Sequence, residues 1–152
     1  MTADSAKLPA EICSKEILIR ALSSDVVKKG KVHWRAFRPP VGNPLTSVMR
    51  AMIGLDFCKD KSKSIFTDRY VGMAAVTVSE VLDTEAKVDD AQDEYPGHAH
   101  INHIDPPVLA NDPNDPTANL KLNNRCKTLA DKARVYIDSS PEQEGWKGQN
   151  IV

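Results

Sequence analysis

The 152-residue chain has only three cysteines, Cys13, Cys58 and Cys126, an odd number set far apart. That excludes a disulfide framework and a zinc-knuckle spacing, and it reads as reduced, mostly buried thiols. No apolar run approaches the roughly 20 residues a membrane-crossing helix needs, so no membrane association is expected. The opening Met-Thr-Ala-Asp-Ser-Ala-Lys-Leu-Pro lacks the basic start and apolar middle of a secretory signal. A cytoplasmic location is the expectation. No internal repeat or coiled-coil register occurs. Ser47 has no Gly-x-Ser-x-Gly context, so a hydrolase elbow is not indicated. There is no dense basic run either, and the composition is not basic enough for a dedicated duplex-DNA binder.

What is present fits one globular domain. Hydrophobic residues make up 41% and charged residues 27%, and the length suits one core rather than two. Charge is uneven. Residues 1–75 carry 13 Lys/Arg and 7 Asp/Glu, a balance of +6, whereas residues 76–152 carry 7 and 14, a balance of −7. In a single domain the simplest consequence is two halves that attract each other.

The pattern predicts a single α+β domain over residues 11–138, with a short mixed or antiparallel sheet and about three helices. A flexible arm (1–10) precedes it, and a polar tail (139–152) follows, either disordered or docked by Trp146. Glu16–Leu22 suits a buried strand. Lys31–Arg38 alternates like a strand that Pro39-Pro40 stops. Leu45, Val48, Met49, Met52 and Ile53 follow helical spacing, with Thr46 or Ser47 as cap. Lys59–Lys63 reads as a solvated loop and Tyr70–Leu82 as a buried helix, although its Val and Thr content leaves a strand open. Short strands are expected at Ala86–Val88 and Gly97–Ile104. Asp105-Pro-Pro, Asp112-Pro and Asp115-Pro mark a long loop of turns. A helix capped by Asp115 then runs from Pro116, with the seam Leu122, Cys126, Leu129, Ala133, Tyr136 and Ile137.

Potential chemistry concentrates in Tyr95-Pro-Gly-His98-Ala-His100-Ile-Asn-His103-Ile-Asp105. On a strand His98 and His100 share a face, which makes half of a zinc or other divalent-metal site. His103 falls on the opposite face unless the strand bends. His103 and Asp105, or His33, Cys58, Asp93 or Glu94, would have to complete the shell. The run resembles the His-x-His-x-Asp-His signature of metallo-β-lactamase-fold hydrolases, with Asn102 in place of the aspartate and no histidine after His103. It also resembles the His-x-His-x-His motif of histidine-triad nucleotide-binding proteins, but Asn102 stands where the third histidine belongs. Neither match is complete. Arg20, Phe37-Arg38-Pro39, Ser47-Val48-x-Arg50 and Tyr95-Pro96-Gly97-His98-Ala99 together are similar to a pattern in small uncharacterised bacterial proteins. That likeness implies a bacterial source and a shared site, and supplies no reaction.

Arg20, Arg35, Arg38, Arg50 and Arg69 lie in the basic half beside Trp34 and Phe37. Forked guanidinium groups bind carboxylate and phosphate, so Arg20, Arg38, Arg50 and Ser47 are candidates for an anion site. An arginine on a first strand followed by a serine on a second also resembles ADP-ribosyltransferase-like folds, although their catalytic glutamate and Ser-Thr-Ser strand are not identifiable here. Three functions follow. The first is a protein that binds a small anionic ligand or a protein partner. The second is a metal-dependent hydrolase or nuclease, with His98 and His100 as catalytic and metal-holding residues and Arg38 or Arg50 on phosphate. The third is a metal-free site in which His98 or His100 shuttles a proton.

Overall fold

A computed structural model describes residues 7–40, 42–103 and 116–151, with side chains from 120 onward in the last segment. The strands are β1 (Ile17–Ser23), β2 (Val27–Lys28), β3 (Lys31–Val32), β4 (Leu45–Arg50), β5 (Tyr70–Thr77), β6 (Lys87–Asp90), β7 (His98–Asn102) and β8 (Arg134–Ile137). The helices are α1 (Leu55–Phe66), α2 (Val78–Leu82) and α3 (Pro116–Lys132). Six strands form one sheet in the order β6-β7-β4-β1-β5-β8, and β2 pairs with β3 in a small second sheet. Every pairing is antiparallel. This is the expected α+β domain.

Both faces of the large sheet are covered, so its central strands are apolar on both sides. Leu18, Leu22, Val48, Ala74, Val76, Ala99 and Ile101 face one core with Leu122, Cys126 and Leu129 of α3, and with Ala36 and Phe37. Ile19, Ala21, Met49, Met73 and Ala75 face the other with Cys58 of α1 and the half-buried Tyr95 and Trp146. Burial on two faces erases the polar–apolar alternation that would mark a strand. For that reason 45–50 and 70–77 are strands, not the helices expected. Each draws its hydrogen bonds from distant neighbours: β4 from β1 and β7, and β5 from β1 and β8.

Three further expectations are corrected. Lys59–Lys63 lies within α1; its inward stripe of Cys58, Lys59 and Ser62 is disguised in the sequence by small and charged residues. Lys31–Arg38 yields two strand residues and then a 3-10 turn over Trp34–Phe37, capped by His33 Nδ1 accepting from the Arg35 amide at 3.1 Å. The helix expected from Pro116 is present but ends at Lys132, so Tyr136 and Ile137 belong to β8 rather than its seam. Asp115 and the 105–115 loop lie outside the described residues.

Two buried cations tie the ends of the chain down. Lys59 is fully buried and satisfies its three protons on Asp138 at 3.0 Å, the Ser140 carbonyl at 3.1 Å and the Gly145 carbonyl at 2.7 Å. Burial alone would raise the Asp138 pKa. The Ser140 amide, the Tyr70 hydroxyl and Lys59 together hold it below the ordinary value. The tail therefore docks, with the Trp146 amide donating to Asp56 at 2.7 Å. At the other end Arg50 forks onto Glu16 at 2.8 and 2.9 Å, reaches Asp90 at 3.2 Å, and donates to the Pro9 and Glu11 carbonyls. Leu8 is held by Gln92 through both its amide and its carbonyl.

Arg50 and Glu16 are almost wholly buried, and removing one member strands the other's charge. Arg50→Ala is expected to cost about 3–5 kcal/mol of stability, measured by urea denaturation, whereas exposed Arg69→Ala should cost well under 1 kcal/mol.

Candidate functional site

The site is built where β4, β7 and the turn before β7 meet. That turn is set by buried Gln92, whose side-chain carbonyl accepts from the Gly97 amide at 3.0 Å. Gly97 sits at φ +79°, and a Cβ there would come within 2.7 Å of the Ile53 side chain. Only glycine delivers His98 into β7 at this point. β4 and β7 then pair Ser47 with His100 and Met49 with His98, so Ser47, His98 and His100 stand on one face.

His98 is buried and fully engaged. Its Nδ1 lies 3.1 Å from the Ala91 carbonyl and 3.4 Å from a Glu94 carboxylate oxygen. A carbonyl only accepts, so Nδ1 carries the proton and Nε2 is the acceptor. Ser47 Oγ donates to that Nε2 at 2.5 Å. Tyr95 stacks on the imidazole at 4.4 Å between ring centroids, and its phenol interacts with the same Ser47 hydroxyl. The His100 ring meets the His98 ring edge-on at 4.7 Å. Burial above all, then His100, pushes the His98 pKa down, opposed by Glu94. The imidazole is therefore neutral at neutral pH.

Arg20 closes the other side. β1 and β4 pair at Leu18↔Arg50 and Ile19↔Met49, and beyond that point the guanidinium bridges them. Nε donates to the Ala36 carbonyl and Nη1 to the Ser47 carbonyl, each at 2.7 Å. Among the described residues no carboxylate lies within ion-pair distance of it. Burial lowers its pKa, with only Tyr95 and Cys126 opposing. Arg20, Asn43, Ser47, Glu94, His98 and His100 line a half-open cavity of about 240 Å³.

The candidates are thus sorted. Arg20, Ser47, His98 and His100 come together. Arg50 does not join them, because its guanidinium is committed to Glu16 and Asp90. Arg38 packs over the Trp34 ring at 5.8 Å, away from the cavity lining. Ser47 lies inside a strand and caps no helix. His33 caps the 3-10 turn. Cys58 and Cys126 are buried thiols that burial pushes up to about 12, which leaves them protonated and inert. Cys13 is exposed and free. Glu94, with His98 and His100, places one ligand atom from each residue within 4.8 Å of the others. Tyr95, like Asn43 and Gln92, has no chemical role in the sequence, since stacking and side-chain bonds across a turn leave no periodic signal. Asp105 lies outside the described residues.

His103 is separate from this group. It lies on the α3 side, fully buried, with Arg125 Nη1 donating to Nδ1 at 3.2 Å and Thr46 Oγ 3.0 Å from Nε2. Nε2 therefore donates to Thr46, which donates to the Phe37 carbonyl at 2.8 Å. Burial, then the Arg125 charge, depresses the His103 pKa from 6.5 to about 4. On acidification the unfolded chain takes up this proton first. The contribution to stability is whole above pH 6.5 and is lost as the pH falls toward 4, a total on the order of 3 kcal/mol. Denaturation at pH 7.5 and 4.5 should show the wild type losing about 2–3 kcal/mol more than His103→Gln.

No family model matches the chain, and neither a curated protein nor a solved structure matches it.

Proposed function

We propose that the chain binds a small anionic ligand in the cavity walled by Arg20. The observation that carries this is the guanidinium itself: a partly buried cation, bonded among the described residues only to neutral carbonyls, facing a cavity. Such a charge is costly unless an anion compensates it. Arg20 has donors beyond those given to Ala36 and Ser47. The Asn43 side chain uses its oxygen on the Leu45 amide at 2.9 Å, so its NH₂ is left to donate. At about 240 Å³ the cavity is below the roughly 300–1,000 Å³ of drug-sized ligand sites, which favours a small carboxylate or phosphate. A protein partner is less favoured, because exposed Met52, Ile65, Leu82, Leu120 and Ile137 are spread over separate elements. Free thiols support a reducing, cytoplasmic setting, and the short sequence pattern supports a bacterial source.

A metal-dependent hydrolase is the second reading, favoured by the proximity of Glu94, His98 and His100. Zinc or another divalent ion would be held by these three and would activate a water molecule. Against it, both His98 nitrogens already have hydrogen-bond partners, so a metal would have to displace one. Elemental analysis separates the readings: near-equimolar metal lost in His98→Ala/His100→Ala supports the second, and metal-free protein unresponsive to added zinc counts against it.

The anion reading is tested by titrating ¹⁵N-labelled protein with inorganic phosphate and with acetate. The Arg20 side-chain and Ser47 amide signals are expected to move saturably. Arg20→Gln should weaken binding about tenfold or more, and Arg20→Lys, which keeps the charge but loses the fork, should fall between. Equal binding by wild type and Arg20→Gln would refute the assignment.

A further inference from the structure

From the Ser47–His98–Ala91 geometry we infer that Ser47 is an activated nucleophile for acyl transfer from a small ester. The inference deepens the anion-pocket reading and rests on it for the group that faces the substrate oxygen. It stands on three placements. Ser47 Oγ donates to His98 Nε2 at 2.5 Å, so the base is within reach of the proton it must take. His98 Nδ1–H is anchored on the Ala91 carbonyl at 3.1 Å, which fixes the tautomer, and the Glu94 carboxylate at 3.4 Å lies where an imidazolium charge would develop. Third, Ser47 borders the cavity together with Arg20 and Asn43, donors that face the space a reacting carbonyl would occupy. Nucleophile, base, orienting group and oxyanion donors are recognised by role and geometry rather than by chain order.

The step balances without an outside oxidant or reductant. Ser47 Oγ forms a bond to the ester carbonyl carbon while its proton passes to His98 Nε2 and the carbonyl π pair moves onto the oxygen facing Arg20. Collapse breaks the bond to the alcohol oxygen, which takes the proton from His98 and leaves. Water then adds to the acyl-serine, giving its proton to His98. Ser47 departs reprotonated, and the carboxylic acid is released. The released carboxylate is the kind of anion that Arg20 suits.

The experiment uses the full chain in EDTA, so that metal chemistry is excluded from the readout. Protein is incubated with p-nitrophenyl acetate and, separately, with a fluorophosphonate probe. Adducts are followed by intact mass and mapped by peptide, and phosphate binding by the wild type is recorded in parallel. A single adduct on Ser47, absent in Ser47→Ala and forming at least about a hundredfold more slowly in His98→Gln, is expected. Should His98→Gln fail to fold, the same collapse in rate is required when the wild type is unfolded in urea. Phosphate binding without a Ser47 adduct would overturn the acyl step and leave the anion pocket standing. An adduct without phosphate binding would overturn the pocket reading instead. Labelling of Ser47 at equal rates in native and denatured protein would overturn the activation.

Discussion

Strict alternation along β4 governs this molecule. Successive side chains leave a strand on opposite faces, so Thr46 and Ser47, adjacent in sequence, serve different ends. Thr46 joins His103, Arg125 and the Phe37 carbonyl in a closed hydrogen-bonded chain beneath α3. Ser47 turns to the α1 side and meets His98. The partner strand repeats the division, since His98 and His100 share Ser47's face and His103 does not. A slip of one residue in the β4–β7 register would exchange the two sets. The site depends on that register, which the Gly97 turn and the Gln92 side chain both help to set.

The second constraint is the parting of β1 and β4. A sheet that loses a rung leaves backbone carbonyls to satisfy, and Arg20 answers for Ser47's. In doing so it brings a cation to the rim of a cavity that Asn43, Ser47, Glu94, His98 and His100 also line. Structure and chemistry are joined in one side chain: the group that bridges the split strands also faces the space beside the Ser47–His98 pair. Glu94 is the opposing charge in the neighbourhood. It is mostly exposed and lies beside His98 rather than Arg20.

Buried cations recur with a different outcome at the chain ends. Lys59 and Arg50 are fully paired and hold the tail and the N-terminal approach against the sheet, whereas Arg20 is satisfied, among the described residues, only by carbonyls. That contrast separates the three better than exposure alone. It also refines the charge asymmetry of the sequence. Arg50–Asp90 and Lys59–Asp138 do join the basic and acidic halves, while Arg50–Glu16 and Arg69–Asp25 stay within the first.

Local pattern was sufficient where one face of an element is wet, where a turn residue marks its edge or, as in β1, where a short run is rich in branched aliphatics. It predicted the α+β class, β1, β6, β7, the long helix after Pro116, the pairing of His98 with His100 and the separation of His103. The start of α2 was missed: one helix was expected over Tyr70–Leu82, whereas Thr77 and Glu80 form a capping box where β5 gives way to helix. The sequence alone took β4 for a helix and β5 for a helix with strand left open, since residues buried on both faces carry no period, and it disguised α1 behind a buried lysine. Only the tertiary structure decided which arginine faces a cavity and which ones are consumed by carboxylates. It likewise turned Ser47 from a presumed cap into the partner of His98. Those roles depend on strand register and on contacts between residues more than 25 positions apart, and single-chain periodicity does not encode such contacts.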